Sequence, residues 1–401
     1  MNQHADTLRK YGITRLARID GIDRIGIPVY SATCPNYDTP ITVFSGKGVT
    51  KNIARITAIM EAIERTTAVW SNRSIKDAEI ARYEFPHTGE KFWLPTHFTE
   101  LSDPEIDPKD ILWTTAIDID GKEYHIPAQL AYPDVPSELG PRPFRTVSSN
   151  GLAAHPSKLL ARVNSLLELV ERHVVSSVEL RNSHMDFIRL QGLAERFGID
   201  PHLSEIFIDR NDDVVGINPD SLPTTATQLY SQYVASGLHP RIYRLDNEFD
   251  IPVYAASLVE EINPSEFLAC CGYGAALDAA EALERSLLEL AQTRVTDMHG
   301  SREDRVEPEK SRLQVQPRGH WALSDVRLNS FSPNSNMLLK TDPAYLQELV
   351  SRLASKGFVR VAWHEYRTKD ENYCVRAIVP GLETWHVLAG EANTRLMSVS
   401  S

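Results

Sequence analysis

The strongest constraint in this 401-residue chain is a five-residue pattern that occurs twice. Residues 61–65 read EAIER and residues 168–172 read ELVER; both spell E-x-x-E-R, and each lies in an apolar run with helical spacing. In the first run Ile56, Ile59, Met60 and Ile63 fall at i, i+3, i+4 and i+7, which predicts a buried helical stripe. At 100° per residue Glu61 and Glu64 then share one flank, with Arg65 beside Glu61. In the second run Val163, Leu166, Leu167, Val170 and Val174 form the stripe, and Glu168, Glu171 and Arg172 take the same sector relative to it. Like charges at i, i+3 repel, so one such motif reads most simply as a solvated flank. Two in the same register to the core read as a pseudo-symmetric duplication with a site between the halves. A third run, ALERSLLELAQTR, sets Leu283, Leu287 and Leu290 on a core stripe and Arg285, Glu289 and Gln292 on a polar face.

Helices that bring carboxylates and arginines together need both a cation and an anion between them, and a magnesium–triphosphate supplies both. Glu61, Glu64, Glu168 and Glu171 are oxygen ligands, suited to a hard ion that bridges phosphates; zinc would call for His or Cys. Arg65, Arg172 and Arg285 answer the phosphate charge, since guanidinium binds phosphate bidentately. Lys47 stands in SGKG, read as a glycine turn that offers backbone N–H groups and an ammonium to an anion. The Walker pattern is absent, as are H-E-x-x-H, H-x-E and G-x-S-x-G, so no nucleophile of the protein's own is indicated. Phosphoryl transfer, which needs mainly positioning and electrostatics, is the reaction class that remains.

The formal charge of −12 argues against nonspecific binding of nucleic acid or an anionic membrane. Cys34, Cys270, Cys271 and Cys374 form no C-x-x-C pair and read as free thiols of a reducing compartment. The first residues lack an apolar signal core, and no apolar run reaches the length of a membrane span, so a soluble, cytoplasmic protein is expected. Along the chain, 21–44 reads as two strands, 75–145 as an irregular Pro-rich stretch with strands at 111–118 and 122–131, and DIDGKEY as a type I′ hairpin. Residues 182–260 read as accessory α/β structure with a helix near 223–237, and LACCGYG at 268–274 as a strand ending in a Gly-x-Gly turn. A charged loop at 301–318, a helix at 342–356 and two strands follow.

SGKGVTKNIARITAIMEAIER, SSNGLAAHPSKLLARVNSLLELVER and GYGAALDAAEALERSLLELAQTR together resemble, in order, the three signature blocks of the YcaO family. IDRIGIPVYSA and VRAIVPGLE resemble further family segments, so the likeness covers roughly residues 13–385. It implies an α/β fold of that family's own, pseudo-symmetric mixed sheets flanked by helices, with ATP and several Mg2+ ions held between the helices. The implied layout is a single unit over 1–401. Residues 13–145 form a first half carrying the first block, 146–300 a second half carrying the other two, and 301–401 a closing subdomain. By resemblance Glu61, Glu64, Glu168 and Glu171 are metal ligands. Arg24, Ser31, Lys47, Arg65, Arg172, Arg285, Glu289 and Gln292 contact the nucleotide.

The implied activity is ATP-dependent O-phosphorylation of a peptide backbone amide, in the modification of ribosomally made precursor peptides. A Cys, Ser or Thr side chain of the substrate then gives an azoline, an amine gives a macrocyclic amidine, and sulfide, delivered with a TfuA-type partner, gives a thioamide. Three departures from the family pattern stand out: Leu160 where glutamate is usual, His155 where glycine is usual, and His173 in place of the common Asp after Arg172. The chain also ends in SVSS instead of the Pro-x-Pro-x-Pro tail of azoline-forming members with a docking partner. These features favour a stand-alone enzyme, of the kind that modifies bottromycin-type peptides, making an azoline or macrocyclic amidine. Thioamide synthesis is the alternative, and a non-catalytic peptide- or nucleotide-binding scaffold a second one. A homodimer is the implied assembly.

Overall fold

The Gly-x-Gly segments that the sequence marks as turns run in strands, with Gly48 alone just past a strand end, and the reason shapes the whole molecule. The computed structural model describes residues 2–35, 41–70, 91–98, 106–144, 147–182, 213–263, 266–300, 326–333 and 338–382. Among the described residues, three sheets and their helices make a mixed α/β architecture. The first sheet holds β1 (Arg15–Arg18), β2 (Val29–Thr33) and β3 (Val43–Lys47), antiparallel in that order. The third contains β4 (Trp113–Asp118), β5 (Glu123–Pro127), β6 (Leu152–His155), β12 (Ala362–Tyr366) and β13 (Tyr373–Ile378). Its order is β5-β4-β12-β13-β6, antiparallel throughout. The second comprises β7 (Val214–Ile217), β8 (Arg241–Leu245), β9 (Val253–Asn263), β10 (Glu266–Ala275) and β11 (Leu328–Asn329). Its order is β10-β9-β8-β7-β11, with the β7–β11 pair parallel.

The helices are α1 (Asn2–Lys10), α2 (Lys51–Thr67), α3 (Ala128–Ala131), α4 (Lys158–Asn182), α5 (Thr224–Ala235), α6 (Ala279–His299) and α7 (Pro343–Ser355). Val163, Leu166, Val170 and Val174 of α4 share one core with Tyr243, Val253 and Ala255 of the second sheet and with Trp363, Val375 and Ala377 of the third. That wedges α4 between two sheets, which is why its apolar stripe is continuous and fully buried. Leu283, Leu287 and Leu290 of α6 pack with Leu229 and Tyr233 of α5 on Ile242, Tyr254 and Ala256 of the second sheet. Ile59, Ala62 and Ile63 of α2 pack against Phe44 of the first sheet and Leu152, Ala154 and Cys374 of the third.

The stripe expected on α2 is rotated. Ile56 is 38% exposed, and the buried face runs through Ala54, Ala58, Ile59, Ala62 and Ile63. The cause is β3: a Cβ on Gly46 would lie 2.0 Å from the backbone nitrogen of Ala58, so strand and helix touch through main chain and only alanine fits beneath. Gly272 of β10 does the same to α6, where an added Cβ would lie 2.1 Å from the nitrogen of Leu290. In both segments glycine serves close approach, and Lys47 ends a paired strand, facing Val29 across the ladder, instead of crowning a turn. The DIDGKEY hairpin forms between β4 and β5, but only Gly121 takes a positive φ, +85°; type I′ would need two such residues. Asp278 caps α6 by accepting from the N–H of Glu281 (2.8 Å), and Thr50 caps α2 by accepting from Ile53 (3.3 Å).

A buried ionic lock ties α6 to the first segment of the chain. Arg294, 1% exposed, reaches Asp23 at 2.9 Å and Glu260 at 2.6 Å, and Arg24 also pairs with Glu260 at 2.6 Å. Cys34, Cys270 and Cys374 are buried, and none of the four cysteines is in a disulfide. Among the described residues no helix is long and apolar enough to cross a membrane. The charged loop expected at 301–318 and the chain's tail lie outside the described residues.

Candidate functional site

The two E-x-x-E-R flanks and the polar face of α6 meet. On α2, Arg65 Nε lies 3.0 Å from Glu61 and 3.5 Å from Glu64. On α4, Arg172 stands more loosely among three carboxylates: 3.9 Å from Glu168, 3.6 Å from Glu171 and 3.8 Å from Glu289 of α6. Glu289 completes the circuit by pairing with Lys47 of β3 at 2.9 Å. Gln292, one turn below, donates to the carbonyl of Ser45 (3.1 Å), and Thr296 donates to the Ser45 hydroxyl (3.5 Å). Ser45 faces Ser31, buried in β2, across the ladder. Arg285 donates to the Ala275 carbonyl (3.2 Å), and its charge acts on Glu171 and Glu289.

The electrostatics show a site held under tension. Burial raises the carboxyl of Glu64 well above its ordinary value, and the neighbouring Glu61 adds to it; Arg65 offsets only part. Burial also raises Glu168, against the pull of Arg172 and Arg65. Glu171 is pushed up to about 7, by burial first, with Arg172 opposing and Glu289 reinforcing the rise. Glu289 is the exception: burial acts to raise it, but Lys47 and Arg172 outweigh burial and hold it below the usual carboxylate range. Three of these acids therefore carry more negative charge than their neighbours can comfortably answer, and a cation fits that deficit.

The donor set is all oxygen, which suits Mg2+. Among the described residues no group of three His, Cys, Asp or Glu side chains is arranged to hold a metal ion unaided. Mg2+ takes one or two carboxylates and completes its shell with phosphate and water, so it needs no such group. The arginines now spread over the acids are the groups that phosphate would draw away. The residues present thus fit a Mg2+–nucleotide.

Eleven of the twelve residues marked from the sequence lie on or against this cluster. Arg24 is not brought into it: its guanidinium donates to the Ser236 carbonyl at 2.9 Å and to Glu260 at 2.6 Å, in the lock of Arg294. Sequence reasoning missed Arg376 of β13, which acts on both Glu168 and Arg65. The signal was present, since a single arginine interrupts the otherwise apolar run of the last strand. It also missed Lys340, which pairs with Glu281 and is pushed down to about 8 by burial and by Arg285. Of the departures, Leu160 is half-buried, and the ring of His155 accepts from the N–H of Ser157 at 2.9 Å. His173 is a core residue, 2% exposed and packed on Phe249 and Phe358.

Comparison with known proteins gives three consistent results. The family described as YcaO cyclodehydratase, ATP- and Mg2+-binding, matches residues 45–383. An uncharacterised protein of Methanothermobacter thermautotrophicus is 28% identical over 98% of this chain and 95% of its own length. An uncharacterised protein encoded in the tfuA 3′ region of Rhizobium leguminosarum bv. trifolii is 26% identical over 94% of this chain and 85% of its own. Among solved structures, YcaO from Methanopyrus kandleri bound with AMPPCP and Mg2+ superimposes with a TM-score of 0.67 at 21% identity, covering 98% of this chain and 91% of that one. A heterocyclase in complex with substrate and cofactor gives 0.69 at 18% identity, over 94% of this chain and 52% of its own. Both likenesses are likenesses of fold.

Proposed function

The chain belongs to the YcaO family, and from that premise we propose that it uses ATP and Mg2+ to activate a backbone amide of a ribosomally made peptide. The observation that carries the proposal is the convergence of Glu61, Glu64, Glu168 and Glu171 with Glu289, Arg65 and Arg172 from three helices. ATP held there would supply a phosphoryl group to the amide oxygen, which would leave as phosphate once a nucleophile attacked the amide carbon. In this reading Glu61, Glu64, Glu168 and Glu171 would hold Mg2+. Arg65, Arg172, Arg285 and Lys47 face the phosphates, and Glu289 keeps Lys47 and Arg172 in place before the nucleotide arrives. No side chain of the protein attacks the substrate; the protein positions and neutralises.

Cyclodehydration to an azoline or a macrocyclic amidine is the first reading of the product, supported by the family's description and by the heterocyclase fold. Thioamide formation with a TfuA-like partner is the second, favoured by the relative encoded beside tfuA. The test is mass spectrometry of a candidate precursor peptide after incubation with ATP and Mg2+. Loss of water identifies the first product, and exchange of oxygen for sulfur in the presence of sulfide identifies the second. Phosphate release that depends on the peptide and persists undiminished in Glu61→Gln or Glu289→Gln would remove the site from consideration. A protein that binds nucleotide without any turnover would be a scaffold.

A further inference from the structure

The inner wall of the site carries a cation that the reading above leaves unused. Arg376 lies in β13 two residues from Cys374, whose Sγ sits 3.9 Å from the main-chain carbonyl of Glu64. Its side chain is 5% exposed. Nη2 donates to the carbonyl of Ser148, while Nη1 is buried with no partner among the described residues. The Tyr366 phenol hydrogen-bonds the guanidinium, but among the described residues no carboxylate comes within ion-pair distance of it. Arg294 offers the control. It too has an unpartnered Nη1, yet two carboxylates at 2.9 and 2.6 Å neutralise it. A buried guanidinium with no carboxylate in direct contact is costly even with the charge of Glu168 acting on it, so the position of Arg376 suits an anion.

A second unmatched donor is mounted on the same turn. Asn150 is 7% exposed, and its Nδ2 has no partner among the described residues. The two groups share a mount: Arg376 holds the Ser148 carbonyl, and the main-chain N–H of Asn150 donates to the Ser148 hydroxyl at 3.2 Å. The turn carrying Asn150 is fixed onto β13, because the Ala377 N–H donates to the Gly151 carbonyl at 2.9 Å and Gly151 takes φ +78°. Both donors therefore sit on one rigid piece of the wall, behind Glu64, which itself accepts from the N–H of Ala154 in the next strand.

We propose that Arg376 and Asn150 form a donor pair that holds an anionic oxygen at the inner end of the site. A planar guanidinium and a carboxamide mounted on the same turn and strand suit such an acceptor. The oxygen belongs either to the terminal phosphoryl of the nucleotide or to the substrate amide as it accepts that phosphoryl. The proposal rests on the nucleotide reading above.

Calorimetry on the purified full chain tests it with three probes: Mg2+·AMPPCP, Mg2+·ADP, and inorganic phosphate added to the Mg2+·ADP complex. If the oxygen is the nucleotide's, Arg376→Gln weakens AMPPCP binding at least tenfold and leaves ADP within twofold. If it is the substrate's, AMPPCP stays within twofold and phosphate binding to the ADP complex falls at least tenfold. A folded Arg376→Gln protein that binds all three probes like the parent overturns the pair. Should that variant lose its cooperative melt, Asn150→Ala and Arg376→Lys carry the same readouts, and unchanged binding in both overturns it equally. Failure of the parent protein to bind AMPPCP with Mg2+ condemns the nucleotide reading instead.

Discussion

Two groups of buried charge, built from the same residue types, behave in opposite ways. In the lock, Arg294 is enclosed by Asp23 and Glu260 at short distance, and although burial acts to raise Glu260, Arg24 and Arg294 more than compensate and hold it low. In the site, burial dominates, the acids outnumber the arginines in contact with them, and Glu64, Glu168 and Glu171 are raised. The first arrangement is complete by itself and serves to fasten α6 to the segment between β1 and β2 and to β9. The second is short of positive charge until something joins it. Satisfied charge marks a fastening, and strained charge marks a place kept for a ligand.

The contrast can be broken most forcefully at Arg294. Arg294→Met strands the buried Asp23 carboxylate and is expected to cost about 3–5 kcal/mol of unfolding free energy, read by chemical denaturation. A cost below about 1 kcal/mol would show that the lock is no lock. The matching change in the site, Glu171→Gln, is expected to leave the melting temperature unchanged or higher, because it removes a strained charge. The same variant should weaken Mg2+·AMPPCP binding on the order of 10–100-fold, about 1.4–2.7 kcal/mol. A large loss of stability with intact binding would reverse the two roles.

Acidity sharpens the comparison further. Groups raised in the folded state contribute stability that is complete below their unfolded value and lost as pH rises through the folded one. For Glu171 that window runs from the ordinary 4.5 to about 7. Glu260, held low, contributes above its unfolded value and loses that contribution as pH falls through its folded value. The metal-free protein should therefore melt higher at pH 5.5 than at pH 7.5, by about a few degrees, and lower again under strong acid. With Mg2+·AMPPCP present the gain between pH 7.5 and 5.5 should shrink or change sign, since bound metal keeps the carboxylates ionised. Calorimetric scans at three pH values decide this. The smallest effect is expected for Arg24→Ala: a half-exposed pair lost for less than about 1 kcal/mol, and AMPPCP affinity within twofold. A tenfold loss of affinity would move Arg24 from the lock to the site.

What the sequence disclosed was local and periodic. The flanks bearing Glu61 with Glu64 and Glu168 with Glu171 follow from helical spacing alone, as do the stripes of α4 and α6. Ile56 misled because the buried face of α2 is set by a strand pressed against alanine, and alanine adds little to an apolar pattern. Gly46 and Gly272 misled in the same way, since a glycine that admits a helix looks like one that makes a turn. Arg294 with Asp23 and Arg376 with Ser148 join positions 271 and 228 residues apart, and no spacing rule reaches so far.

The order of the third sheet has a temporal consequence. β4 and β6 are not bonded to each other; the β12–β13 hairpin, made from residues 362–378, fits between them. Synthesis delivers that hairpin after nearly all the rest of the described chain, so until it leaves the ribosome the sheet is two separate fragments with open edges. Such distant pairings form slowly. Cys374, against the carbonyl of Glu64, arrives on the same late hairpin. A nascent chain therefore lacks Arg376, and with it the inner wall of the site, until the last strands of this sheet have been made.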